Sequence, residues 1–146
     1  MSMSNASETN LLLILFNNTD WANVGDAAGL QNSAAAGSFY VALHTADPTD
    51  AGNQTTSEAA YTGYARVAVA RSAGGWTVSG NQVSNTATVQ FGECTAGSSV
   101  VTHFSVGLLT SGAGDILYSG ALSASRSVSA GITPLCNPGA LVGTID

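Results

Sequence analysis

The sequence predicts an all-β fold: an antiparallel β-sandwich or jelly roll of about eight strands, with a short N-terminal helical segment. Three observations carry this. Short stretches with large apolar residues at alternate positions recur from Ser38 onward. Clusters of Gly, Asn, Ser and Pro separate them at spacings of roughly 8–12 residues. Helical patterning is confined to the residues before Ser38. The 146 residues fit one domain, divided into a helical or extended segment at 1–37 and a sandwich at 38–146.

The elements follow in order. Ser4–Glu8 reads as a helix start, with Asn5 and Glu8 spaced as a cap and its return partner, and Leu11–Phe16 supplies the buried face before Asn17-Asn18 ends it. Trp21–Leu30 reads as a second turn or short helix closed by Gly29, and Ala34–Gly37 as a connection. Phe39, Val41 and Leu43 alternate in the first strand, which Asp47-Pro48 breaks. Arg66–Arg71 is a strand with Val67 and Val69 on one face. Trp76–Val78 and Gln82–Ser84 flank a hairpin loop at Ser79-Gly80-Asn81. Thr86–Phe91, Val101–Leu109 and Ile116–Leu122 are further strands; weaker signals lie at Ser127–Val128, Ile132–Thr133 and Leu141–Ile145.

Hydrophobic residues make up 45% of the chain, enough for a packed core, whereas charged residues make up 8%, against roughly 25% in an ordinary soluble domain. Lysine is absent, and Arg66, Arg71 and Arg126 are the whole basic complement. Such sparse charge arises either from a compositional drift toward Ser, Thr, Gly and Ala or from burial against other subunits, whose contact cores are depleted of charge. A net charge of −6 excludes binding to a phosphate backbone, so nucleic acid is not an expected partner. Leu11–Phe16 is too short to span a bilayer and lacks the basic flank of a secretory signal, so no membrane partner is expected either. Cys94 and Cys136 lack a CxxC pattern and are expected as reduced, partly buried thiols, with a bridge as the lesser alternative.

Chemistry-bearing constellations are sparse. His44 and His103 both fall within strand patterns and read as partly buried, hydrogen-bonded histidines. A catalytic or zinc site needs three convergent groups. Asp47, Asp50 and Asn53 lack the spacing and terminal glutamate of a calcium loop. There is no GxSxG elbow, no phosphate-cradling glycine loop and no carboxylate pair suited to glycoside hydrolysis. The expectation is a protein without enzymatic activity, metal or cofactor. Pro48–Tyr64 is a loop longer than compact domains usually hold, and Tyr61 and Tyr64 around Gly63 are candidate contact anchors for a neighbour. Arg66, Arg71 and Arg126 are candidate interface residues, since isolated arginines tend to be paired, across an interface or with Asp or Glu inside the fold.

One ordered set of motifs runs through the chain. It comprises Tyr40-Val-Ala-Leu-His-Thr-Ala-Asp-Pro48, Asp50-Ala-Gly-Asn-Gln54, Tyr61-Thr-Gly-Tyr-Ala-Arg-Val67, Gly75-Trp76, Thr102-His-Phe104 and Ser111-Gly-Ala-Gly-Asp-Ile-Leu-Tyr-Ser-Gly120. This set resembles a family of small tailed-bacteriophage virion proteins, often labelled tail-fibre proteins, over almost the whole chain. The resemblance implies a β-sandwich virion component made in the bacterial cytoplasm and lacking enzymatic activity. Proteins of this size and class often act as capsid cement. The expectation is a dimer or trimer on the outer face of the head, bound to the major capsid protein and stabilising contacts between capsid subunits. A tail or tail-fibre component engaged in host attachment is the alternative.

Overall fold

The structure, a computed structural model, describes residues 2–145. Along the chain run α1 (Asn5–Asn17), β1 (Ser38–His44), β2 (Val67–Ala70), β3 (Trp76–Ser79), β4 (Gln82–Asn85), β5 (Val89–Gln90), β6 (Ser98–Gly107), β7 (Ile116–Ser129), β8 (Leu135–Cys136) and β9 (Val142–Thr144). The architecture is thus all-β with one N-terminal helix, and the strand pairs with assigned register are antiparallel, as a β-sandwich requires. The residues group into two compact units. The described part of one is 2–38, 70–87 and 138–145; the other is Phe39–Val69 with Thr88–Asn137.

The first unit packs α1 beside the three-stranded sheet β3-β4-β9. Helix initiation comes from Ser4, not from Asn5 as the spacing predicts: the Ser4 hydroxyl accepts the Ser7 N–H at 3.3 Å, and Glu8 supplies negative charge in the first turn. Asn18, left-handed at φ 55, ends the helix with its N–H on the Leu13 carbonyl. The helix carries no basic residue in its last turn. Arg71 fills that role from outside, its Nε and Nη2 donating to the Leu15 and Ile14 carbonyls at 2.6 and 2.5 Å, with Nη1 on Ser33 Oγ at 3.1 Å. Arg71→Met therefore lowers stability by about 1–2 kcal/mol and frays the last turn, measurable as lost helical circular dichroism. Leu12, Phe16, Trp76, Val83 and Leu141 are buried here, and Trp76 meets Phe16 edge-on at 5.3 Å. The buried Asn85 carboxamide accepts the Leu141 N–H and donates to the Ala87 carbonyl, joining β4 to the segment that leads into β9.

Trp21–Leu30 is not helical. Trp21 and Leu30 pair as an antiparallel bridge, and the loop between them turns on Asn23 at φ 65 and on the Asp26 carboxylate, which accepts the Ala28 and Gly29 N–H groups. Asp26 offers those backbone groups a partner other than a helical carbonyl, which defeats the helix.

The second unit holds the four-stranded sheet β2-β1-β6-β7 and the two-stranded pair β5-β8. β1 runs against β6 from Tyr40↔Gly107 to His44↔His103. Phe39, Val41 and Leu43 are buried as their alternation predicts, but Ala42 and His44 are buried too, because β1 is central and covered on both faces. The predicted strands at Ile116–Leu122 and Ser127–Val128 are one 14-residue edge strand, β7, bulged between Val101 and His103 of its partner β6. The predicted strand at Ile132–Thr133 forms instead at β8, three residues later.

Candidate interaction surface

The long connection from Thr45 to Tyr64 does not stand away from its own sheet. The Thr45 N–H donates to the Ser57 carbonyl and the Ala59 N–H to the Leu43 carbonyl, while Glu58 bridges to His44 and Thr62 to Ala96. Tyr61 is buried, its hydroxyl donating to the Gly92 carbonyl at 3.0 Å. Tyr64 accepts the Leu43 N–H and donates to Glu58 Oε1, each at 3.0 Å, and its ring stacks on Phe91. Burial pushes the Tyr64 phenol well above its ordinary range, keeping it a donor.

Arg66 lies at the centre of this region, with its side chain 2% exposed. Nε and Nη2 grip the two Glu58 oxygens at 2.7 and 2.8 Å. Nη1 donates to the Leu109 carbonyl at 2.9 Å and Nη2 to the Gly112 carbonyl at 2.8 Å. One guanidinium thus joins an ion pair to the turn that connects β6 and β7. Gln54, fully buried, fastens the same turn: its Oε1 accepts the Leu109 N–H, its Nε2 donates to Tyr40 and its backbone N–H donates to Gly114. A Cβ on Gly107 or Gly114 would come within 2.3 Å of the Gln54 side chain, so glycine is required at both positions. The turn is therefore rigid, yet residues 108–113 are exposed, including adjacent leucines 108 and 109.

His44 and Ser105 form a second buried pair. His44 Nε2 lies 2.7 Å from Ser105 Oγ and Nδ1 2.8 Å from the Thr56 carbonyl, so the neutral ring donates to Thr56 and accepts from serine. A Ser–His contact invites a nucleophilic reading, but both residues are 0% exposed, and Oγ cannot meet a substrate without opening the sheet. Burial holds the His44 pKa below its ordinary 6.5, with the Thr56 bond and Glu58 pulling it partly back. The unfolded chain takes this proton near 6.5 and the folded chain only at lower pH. Stability therefore falls as pH drops below about 6.5 and levels off once the depressed value is passed. Denaturation midpoints across this range should show the slope, and His44→Gln should remove it.

The residues singled out from the sequence thus separate. Tyr61, Tyr64, Arg66 and Arg71 make their recorded bonds within their own units, the two arginines satisfied inside the fold. Arg126, on the β7 edge opposite Val101, is exposed, and no hydrogen bond or ion pair engages its side chain among the described residues. His103 Nδ1 lies 2.9 Å from Thr102 Oγ1. Asp47 and Asn53 each accept backbone N–H groups of their own loop. Cys94 and Cys136 are buried and unpaired. Glu58 and Leu109 carry no sequence signal of their own, and Gln54 enters only as the end of the Asp50–Gln54 motif; the pointers were that motif and an arginine in a lysine-free chain.

The comparison with curated proteins returns no match. The family model described as podophage GP4 fiber I protein gp80 matches residues 2–144 and so runs through both units. The chain belongs to this family and is a bacteriophage virion structural protein.

Proposed function

We propose that the chain is a tail-fibre component, acting through protein–protein contacts in a multi-copy assembly that takes part in host attachment. The observation that carries this is the family match over residues 2–144, to a protein described as a fibre. The exposed, rigidly held turn at 108–113 and the exposed Arg126 edge support a packing role. The chain performs no reaction of its own: its Ser–His pair serves to tie β1 to β6.

A second reading is a capsid cement protein on the outside of the head, in contact with the major capsid protein. It is favoured by the acidic, lysine-free composition and by a sequence without fixed-period repeats or a heptad stem. Immunogold labelling of intact virions separates the two. Grains on the tail support the fibre placement, and grains spread over the head replace it with cement.

A further inference from the structure

β7 closes one side of the sheet β2-β1-β6-β7, and among the described residues every other edge strand has four residues or fewer. Soluble proteins block long edges with lysine, proline, bulges or a covering segment. From Ile116 to Ser125, β7 has no proline and no charged residue. Its ladder with β6 shifts register at residue 117 and again over 122–125. Between these bulges lies a regular stretch, Tyr118–Ala121, opposite Val106–His103.

The direction of each backbone group along this stretch follows from the ladders. The Leu43 N–H donates to the Tyr64 hydroxyl, and the Leu43 carbonyl accepts the Ala59 N–H, so Leu43 turns its backbone away from β6. Its partner Phe104 therefore turns toward β7, where it exchanges hydrogen bonds with Gly120. Alternation then points the N–H and C=O of Ser119 and Ala121 out of the sheet edge. Both residues are exposed, and no hydrogen bond among the described residues engages those outward groups.

We infer that this edge pairs with the same edge of a second copy, antiparallel across a two-fold axis at Gly120, which joins the two four-stranded sheets. The geometry of the edge selects the occupant. Turning β7 about Gly120 sets Ser119 opposite the partner's Ala121 and Ala121 opposite the partner's Ser119, so each outward N–H meets an outward carbonyl. Moving the axis to Ser119 or Ala121 sets one of them against residue 117 or 123, where the strand is bulged. Gly120 itself faces its counterpart in the close pair, with about 4.5 Å between Cα atoms. It is kept without a side chain by Phe104, whose Cε1 lies 3.0 Å from where a Cβ would stand, so nothing crowds the axis. The side chains of Ser119 and Ala121 are small and uncharged, so two copies approach without steric or like-charge conflict. A two-fold contact is isologous and closes at the dimer. It rests on the strand alone and not on where in the virion the protein stands.

Sedimentation velocity of the full chain up to about 1 mM should show a monomer–dimer equilibrium and nothing larger. Ala121→Pro removes an outward N–H that β6 does not use, and should weaken the dimer roughly tenfold or more while the circular dichroism spectrum is kept. A cysteine pair reads the register without altering the backbone. Under mild oxidation, a mixture of Ser119→Cys and Ala121→Cys chains should give a cross-linked heterodimer joined through those two positions. Either variant alone should give none, because its two thiols then lie beyond the ~7 Å between Cα atoms that a disulfide spans. A wild-type chain that stays monomeric, species larger than a dimer, a folded Ala121→Pro chain that dimerises as well as wild type, or a mixture without the cross-link overturns the inference. Should Ala121→Pro fail to fold, the cysteine mixture decides.

Discussion

Glu58→Gln lowers the stability of the protein by about 3–5 kcal/mol, seen as an earlier midpoint in denaturant. The substitution keeps the size of the side chain and removes its charge. Arg66 then remains 2% exposed with no anion, held by the Leu109 and Gly112 carbonyls. Leaving one member of a buried pair uncompensated is among the most costly single changes a fold can suffer. Arg66→Met acts through the other half of the arrangement: the two carbonyls lose their donors, and amide exchange across residues 109–114 accelerates. Because the residues form one unit, the double variant loses less than the two single losses added together. A Glu58→Gln shift within about 0.5 kcal/mol would place the ion pair among those that contribute nothing measurable.

Trp76→Ala costs about 3–5 kcal/mol and takes the helix with it. Trp76 is 0% exposed and packs edge-on against Phe16, the last large apolar side chain of α1. A 13-residue helix has little stability of its own in water, so α1 depends on this contact and on Arg71 at its C-terminal carbonyls. Trp76→Phe retains an aromatic partner and loses less. The measurement is the helical circular dichroism signal followed through thermal unfolding. A Trp76→Ala protein with full helix signal and a stability change under about 1 kcal/mol would refute this packing account.

Local rules made much of the fold legible. Capping-type residues at Ser4-Asn5 and a run of leucines are sufficient to place α1 within one residue, the spacing pointing to Asn5 where Ser4 is the cap, and Asn17-Asn18 to end it, because helix termini are decided by residues within one turn. The two-residue hairpin turn between β3 and β4 follows from Gly80-Asn81 in the same way. Misreadings arose where a side chain intervened. Asp26 redirects the backbone N–H groups that a helix over Trp21–Leu30 would have used. The extent of β7 escaped because the stretch between its two predicted pieces, Ser123 to Arg126, has no apolar alternation to read; its pairing with β6 defines it.

The candidate surface was far less legible. Tyr61, Tyr64 and Arg66 stand out in the sequence, but their partners do not: Gly92, Leu43, Glu58, Leu109 and Gly112 come from four segments brought together by the sheet. By itself the sequence determined the all-β class, the N-terminal helix and an acidic, lysine-free character, since these follow from residue type and short-range periodicity. Tertiary structure alone decided that Arg66 and Arg71 are engaged inside the chain while Arg126 is exposed, and that Leu108 and Leu109 ride on an immobilised turn. Burial and partnership depend on which distant segments meet, and no local pattern encodes that meeting.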